Sequence, residues 1–199
     1  STNVKNVNIL WPTPIEFEIL GLISLGYQND VIFPLEIEVE DELQNTFLNL
    51  HITFLICKEV CIPGDATLFL EIPSGGKKLN DNYFNLEKAL SLLPEEDFNS
   101  SYVKDIYLET YIDDKNSLIQ LQIESEKDFY NPQIFLHSPF GLPVVKNSIN
   151  YSSDNKKIIT DFSFDKKLFS EKKFPLEIII KDKNHNFKQT LNVEMNDQS

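Results

Sequence analysis

The sequence predicts an all-β protein built as two β-rich units joined by one short helix. Three observations carry this. Leu35, Ile37 and Val39 alternate with Glu36, Glu38 and Glu40, the period-2 pattern of a half-buried strand. From residue 103 onward, short apolar runs recur at regular spacing with polar turns between them, as in a β-sandwich. Only "NYFNLEKALSLLP" changes period, with Leu86, Ala89, Leu90 and Leu93 at helical spacing.

The strands are read in order. "VNILWPTPIEFEIL" is extended, because Pro12 and Pro14 push Trp11 and Thr13 out of helical geometry. Trp11, beside Pro12, reads as a core anchor rather than a ligand platform. "VIFPLEIEVE", "LNLHITFLIC" and "ATLFLEI" follow as strands, and the polar "PSGGKKLND" at residues 73–81 marks a boundary. Asp81 can cap the helix and Pro94 stops it. "VKDIYLETYI", "SLIQLQIES", "PQIFLHS", "KIITDFSF", "FPLEIIIKD" and "FKQTLNVEM" give six strands beyond it. The expected organisation is a first β domain over 1–75, a linker with its short helix over 76–100, and a second β-sandwich over 101–199.

Composition removes several functions. The chain has 199 residues and a formal net charge of −13, and all 18 basic residues are Lys. A polyanion is repelled on average, and no guanidinium is present to grip phosphate in two-pronged fashion, so nucleic-acid binding is not expected. No Gly-rich phosphate loop indicates a nucleotide cofactor. No nucleophile-elbow pattern appears. No apolar run reaches the ~20 residues that span a bilayer. The paired acids Glu95-Glu96 and Asp113-Asp114 read as solvated turns. Asn99 and Asn150 match a short glycosylation pattern that arises often by chance.

Both cysteines fall in "FLICKEVCIPGDATLFLEI", at positions 57 and 61. In a continuous strand their Cα atoms stand about 13 Å apart at ~3.3 Å per residue, whereas a disulfide needs roughly 4.4 to 6.8 Å. If they pair, the chain must turn at Lys58-Glu59-Val60. Pro63 and Gly64 then suggest that regular pairing stops just beyond the turn.

Three readings stay open. As a staple, a five-residue ring gains only about 2 kcal/mol in the chain-entropy model. As a redox centre, a short exposed ring is the kind that reduces readily. As half a metal site, the pair lacks partners, because His51, His137 and His185 are isolated; a two-thiolate Cu(I) site is the remaining metal option.

The order of "WPTP", "GYQNDVIFP" and "CKEVCIPG" resembles the amino-terminal periplasmic domain of DsbD-type thiol:disulfide interchange proteins. The ScsB-like branch, with its C-x-x-x-C-x-P-G, is the nearest in pattern. The tail beyond the helix is similar to the second β-domain of ScsB-like proteins.

This resemblance implies an immunoglobulin-like sandwich and a periplasmic location. It implies thiol–disulfide exchange, an electron transfer of the kind used in cytochrome c biogenesis. Electrons would come from the membrane-embedded and thioredoxin-like parts of the parent protein and pass to thioredoxin-like periplasmic partners. By position, Cys61 matches the cysteine that forms the mixed disulfide, and Cys57 the one that resolves it. Tyr27, Gln28, Lys58, Glu59 and Pro63 are expected around that site. The family's cap over the cysteines maps to Leu20–Leu25, where the alternative is that Leu20, Leu22, Ile23 and Leu25 are core.

The family's segment ahead of W-P-x-P has no counterpart here. The first sandwich is therefore expected to lack strands and expose edges, and the chain is expected to be a fragment. Two competing readings are a non-catalytic β-sandwich module that binds protein through the second domain, with a structural disulfide, and a copper-handling module.

Overall fold

The structure, a computed structural model, describes residues 1–19, 22–75, 82–96, 102–112, 116–138, 145–165, 173–183 and 185–194. The described residues are all-β with one short helix, and the chain divides into two compact units, Ser1–Leu93 and Pro94–Ser199.

Among the described residues the first unit holds three antiparallel ribbons and the short helix. β1 (Val4–Ile9) pairs with β4 (Leu35–Val39), β2 (Ile15–Ile19) with β3 (Leu22–Gly26), and β5 (Thr46–Cys57) with β6 (Cys61–Ile72). The alternation in β4 is realised as read: Leu35, Ile37 and Val39 are half-buried and the glutamates face water. Across the ribbon, Lys5 is ion-paired to Glu38.

A single asparagine ties β1 to β5. Asn3 adopts φ 59°, a left-handed conformation that Asn tolerates because its short side chain bonds locally. Its amide donates to Asp41 O at 2.8 Å, Gln44 O at 3.1 Å and Thr46 Oγ1 at 3.0 Å, and its Oδ1 accepts from Asp41 N–H at 2.8 Å. Thr2 and Phe47 then bridge the two strands.

The helix, α1 (Tyr83–Leu90), starts two residues after Asp81, the expected cap, which itself lies outside the described residues. Asn82 occupies the cap position without a side-chain cap bond. Of its apolar stripe only Ala89 is buried, while Leu86 and Leu90 stay exposed.

The described residues of the second unit form a seven-stranded sandwich. One sheet runs β10 (Val145–Tyr151), β11 (Lys157–Asp165), β8 (Asn116–Ser125), β7 (Val103–Ile112). The other runs β13 (His185–Glu194), β12 (Lys173–Asp182), β9 (Gln133–His137). Lettered A to G along the chain, these are the A-B-E-D and G-F-C sheets of a constant-type immunoglobulin domain.

Alternate residues of the central strands fill the space between the sheets. Ile119, Leu121 and Ile123 share the core with Leu176, Ile178 and Ile180, and with Ile134, Phe162, Phe187 and Val193 among others. All are nearly or fully buried. Each side chain of this kind contributes roughly 1.5–3 kcal/mol by leaving water.

β10 is a strand that sequence reading misses. "VKNSINY" carries three successive polar residues and shows no clear alternation. Among its described side chains Ile149 packs against the core, and the ladder to β11 holds the strand at the edge of its sheet.

One buried carboxylate anchors this unit. Asp182, 3% exposed at the end of β12, accepts from Tyr102 Oη at 2.7 Å, Asn131 N–H at 2.9 Å and Tyr130 N–H at 3.2 Å. It joins the entry to β7 and the β8–β9 connection to β12. Burial and the adjacent Asp182 both push the Tyr102 phenol well above its ordinary range.

Candidate functional site

The β5–β6 ribbon is twelve rungs long, from Thr46↔Ile72 to Cys57↔Cys61. Side chains alternate between its faces. One face carries Leu48, Leu50, Ile52, Phe54, Ile56, Ile62, Ala66, Leu68 and Leu70, with no charge. The other carries Asn49, His51, Thr53, Asp65, Thr67 and Glu71, and ends in the two cysteines. The apolar face is covered at the open end, where Leu48 is 2% exposed, and uncovered at the tip, where Ile56 and Ile62 exceed 60%.

The chain turns at Lys58-Glu59-Val60, where Lys58 N–H donates to Val60 O at 3.2 Å. Cys57 and Cys61 close a disulfide across the last rung, with Cα atoms 4.1 Å apart. Cys57 is half-buried and Cys61 is exposed. Leu55 and Val60 are also largely exposed, so the sulfurs sit at a projecting tip that is apolar on both faces.

The expected break in pairing at Pro63-Gly64 does not occur; the ladder runs through Leu55↔Pro63 and Phe54↔Gly64. The physical reason is parity. The Cys57–Cys61 spacing is that of a pair without mutual hydrogen bonds, about 4.5 Å in antiparallel sheet. Two residues on, Leu55↔Pro63 is of the same kind, so the Pro63 nitrogen faces away from β5. Among the described residues β6 pairs with β5 alone, and its outer edge asks for no donor. Gly64 answers to a different need: a Cβ there would lie 2.6 Å from Phe54 Cε2, because the ring lies over the glycine.

Lys58, Glu59 and Pro63 are thus gathered around the disulfide. Tyr27 and Gln28 are not brought to it by any hydrogen bond or ring contact among the described residues. Tyr27 Oη donates to Pro12 O at 2.8 Å, and its ring meets Phe33 edge-on at 5.1 Å. Burial pushes its phenol up to about 12, so it stays protonated at neutral pH. Gln28 is exposed.

Trp11 packs edge-on to Phe33 at 5.2 Å but is 53% exposed, which corrects its reading as a core anchor. Its neighbour Pro12 is the buried residue of this segment. Of the stretch assigned to a cap or to core, Leu20 and the side chains of Leu22 and Ile23 lie outside the described residues, and Leu25 is 47% exposed.

The histidines lead elsewhere. His51 Nδ1 lies 3.3 Å from Thr67 Oγ1, on the cysteine face by parity but six residues from Cys57. His137 lies near Glu177, and His185 stacks on Phe187. Among the described residues no group of three or more His, Cys, Asp or Glu is placed to hold a metal ion.

Residues 1–73 match the family model of the thiol:disulfide interchange protein DsbD, N-terminal. The matched stretch spans all three ribbons of the first unit, ends one residue after β6, and contains the disulfide. The DsbD-type match thus points to thiol–disulfide interchange and falls on the region that holds the only two cysteines. α1 and the second unit lie beyond it. No curated protein and no solved structure matches the chain. No helix among the described residues is long and apolar enough to cross a membrane.

Proposed function

We propose that the first unit is a thiol–disulfide exchange module of the periplasm, passing reducing equivalents to oxidised partner proteins through the Cys57–Cys61 pair. The observation that carries this is the position of the disulfide. It closes a five-residue ring at an exposed hairpin tip and links no two distant parts of the chain, so it adds little as a staple.

Cys61 is the attacking group, because it is the more exposed of the two. Its thiolate attacks one sulfur of the partner's disulfide. That S–S bond breaks, the partner's other sulfur leaves as a thiolate, and a mixed disulfide forms through Cys61. Cys57, as thiolate, then attacks Cys61 Sγ. The ring closes, and the partner's second sulfur leaves as a thiolate. Two electrons have passed from the Cys57/Cys61 dithiol to the partner, and the displaced thiolates take protons from water.

A thioredoxin-like reductant returns the pair to the dithiol by the same steps in reverse. The exposed Leu55 on the cysteine face, Val60 in the turn and Ile62 on the opposite face supply the dry contact for a partner's apolar surface. Placement in the ScsB-like branch, with thioredoxin-like partners and a membrane-embedded electron source in the parent protein, extends this reading.

Two measurements test it. The Cys57→Ser variant leaves Cys61 to hold a mixed disulfide that it cannot resolve, so a covalent adduct with a thioredoxin-like protein accumulates. The wild-type pair should have a reduction potential in the range of exchange-active dithiols, roughly −120 to −270 mV. A potential below about −300 mV, with no adduct, would identify a structural staple and end the exchange reading.

A further inference from the structure

The tip of the β5–β6 ribbon contains a cross-strand contact that the exchange steps do not use. Phe54 and Gly64 are register partners, three residues before Cys57 and three after Cys61. They lie on the face opposite the sulfurs. A Cβ on Gly64 would stand 2.6 Å from Phe54 Cε2 and 2.9 Å from Cζ, so the ring occupies the space over the glycine backbone. Gly64 is not in the left-handed region, so backbone conformation does not require glycine here. What requires it is the ring.

The tip has little else to hold it. Among the described residues β6 pairs only with β5, and the printed bonds from β5 to another segment lie at its far end, where Ser1, Thr2 and Asn3 meet Asn49, Phe47 and Thr46. In the disulfide form the covalent ring fixes the tip. In the dithiol form that restraint is gone. The separation of the thiols then depends on the last rungs, the Lys58–Val60 turn and the ring over Gly64.

We propose that Phe54 is a positioning residue for the cysteine pair. Seated on Gly64, its ring keeps the reduced tip closed and holds each thiol at high effective concentration for the other. Effective concentration acts on equilibrium and rate together. A closed dithiol reforms the ring more favourably, which lowers the reduction potential. It also speeds the attack of the Cys57 thiolate on Cys61 Sγ, the step that breaks the mixed disulfide and releases the partner as a thiolate. The rate half of this inference rests on the exchange reading; the equilibrium half does not, since any disulfide has a potential.

The experiment is the reduction potential of the full chain, by equilibration in glutathione buffers with alkylation and mass readout, for wild type, Gly64→Ala, Phe54→Ala and Phe54→Tyr. Gly64→Ala displaces the ring, and Phe54→Ala deletes it. Each is expected to weaken ring closure about tenfold, which raises the potential by about 30 mV. Phe54→Tyr keeps a ring over the glycine and is expected to match wild type.

A contact that served stability alone would lower the melting temperature and leave the potential unchanged, and that result overturns the proposal. If Phe54→Ala does not fold, Gly64→Ala decides alone, because it adds one methyl group without backbone strain. Exchange with a thioredoxin-like protein is measured separately. Its failure beside an intact potential shift removes the relay reading and leaves the positioning role standing.

Discussion

Cys57 and Cys61 face each other across the last rung of a twelve-rung ribbon, their Cα atoms 4.1 Å apart and their sulfurs joined. The disulfide therefore bridges residues that the ladder has already brought together. Its removal should cost little: about 2 kcal/mol from loop entropy. Denaturant unfolding with and without reductant checks this. Trp11, the single tryptophan, reports on the first unit alone. The expected outcome is a modest shift of the midpoint with the transition kept cooperative.

Pro63 sits at a ladder position whose nitrogen faces outward, so a proton there is not missed. Pro63→Ala should leave stability within about 0.5–1 kcal/mol, the loss coming from a freer unfolded chain. It also adds an N–H donor to the open edge of β6, and exposed edges invite pairing between chains. Size-exclusion chromatography at rising concentration should show more self-association than wild type.

In the second unit, Asp182 accepts from Tyr102, Tyr130 and Asn131 while almost fully buried. Asp182→Ala strips partners from one buried hydroxyl and two backbone donors, and each such loss costs about 1–3 kcal/mol. Tyr102→Phe removes one bond and leaves the carboxylate its backbone donors. The expected order of stability, by near-ultraviolet dichroism of the tyrosines during thermal unfolding, is wild type, then Tyr102→Phe, then Asp182→Ala.

Tyr27 gives a prediction in pH. Its phenol is raised from 10.0 to about 12 by burial against Pro12 and Phe33. The unfolded chain ionises first as pH rises, so the stability tied to the neutral phenol is complete below pH 10 and is lost as pH climbs toward 12. A phenolate difference titration at alkaline pH, wild type minus Tyr27→Phe, should show one ionisation near the upper end of that window. A difference curve centred near 10 would mean that the phenol is solvated.

Much of the fold was legible because its signals are local. The glutamate alternation in β4 placed three apolar side chains on one face before any partner was known. Spacing alone required a turn at Lys58–Val60 if the cysteines were to pair. β10 was not legible, since three successive polar residues, Lys146, Asn147 and Ser148, leave an edge strand almost no pattern of its own. Trp11 misled because an aromatic beside proline has the composition of a core residue, and burial depends on what the rest of the chain places over it.

The sequence by itself determined the period of each segment, the short ring and the motif order that matches the DsbD-type family, because these depend on neighbours along the chain. Only the tertiary structure decided that Phe54 lies over Gly64, that the ladder passes Pro63, that Asp182 gathers three distant donors, and that seven strands take the A-B-E-D and G-F-C order. Each of these depends on register between segments far apart in sequence. A one-residue shift in register would reverse every face, and the match that prevents it is a property of the packed pair rather than of either strand.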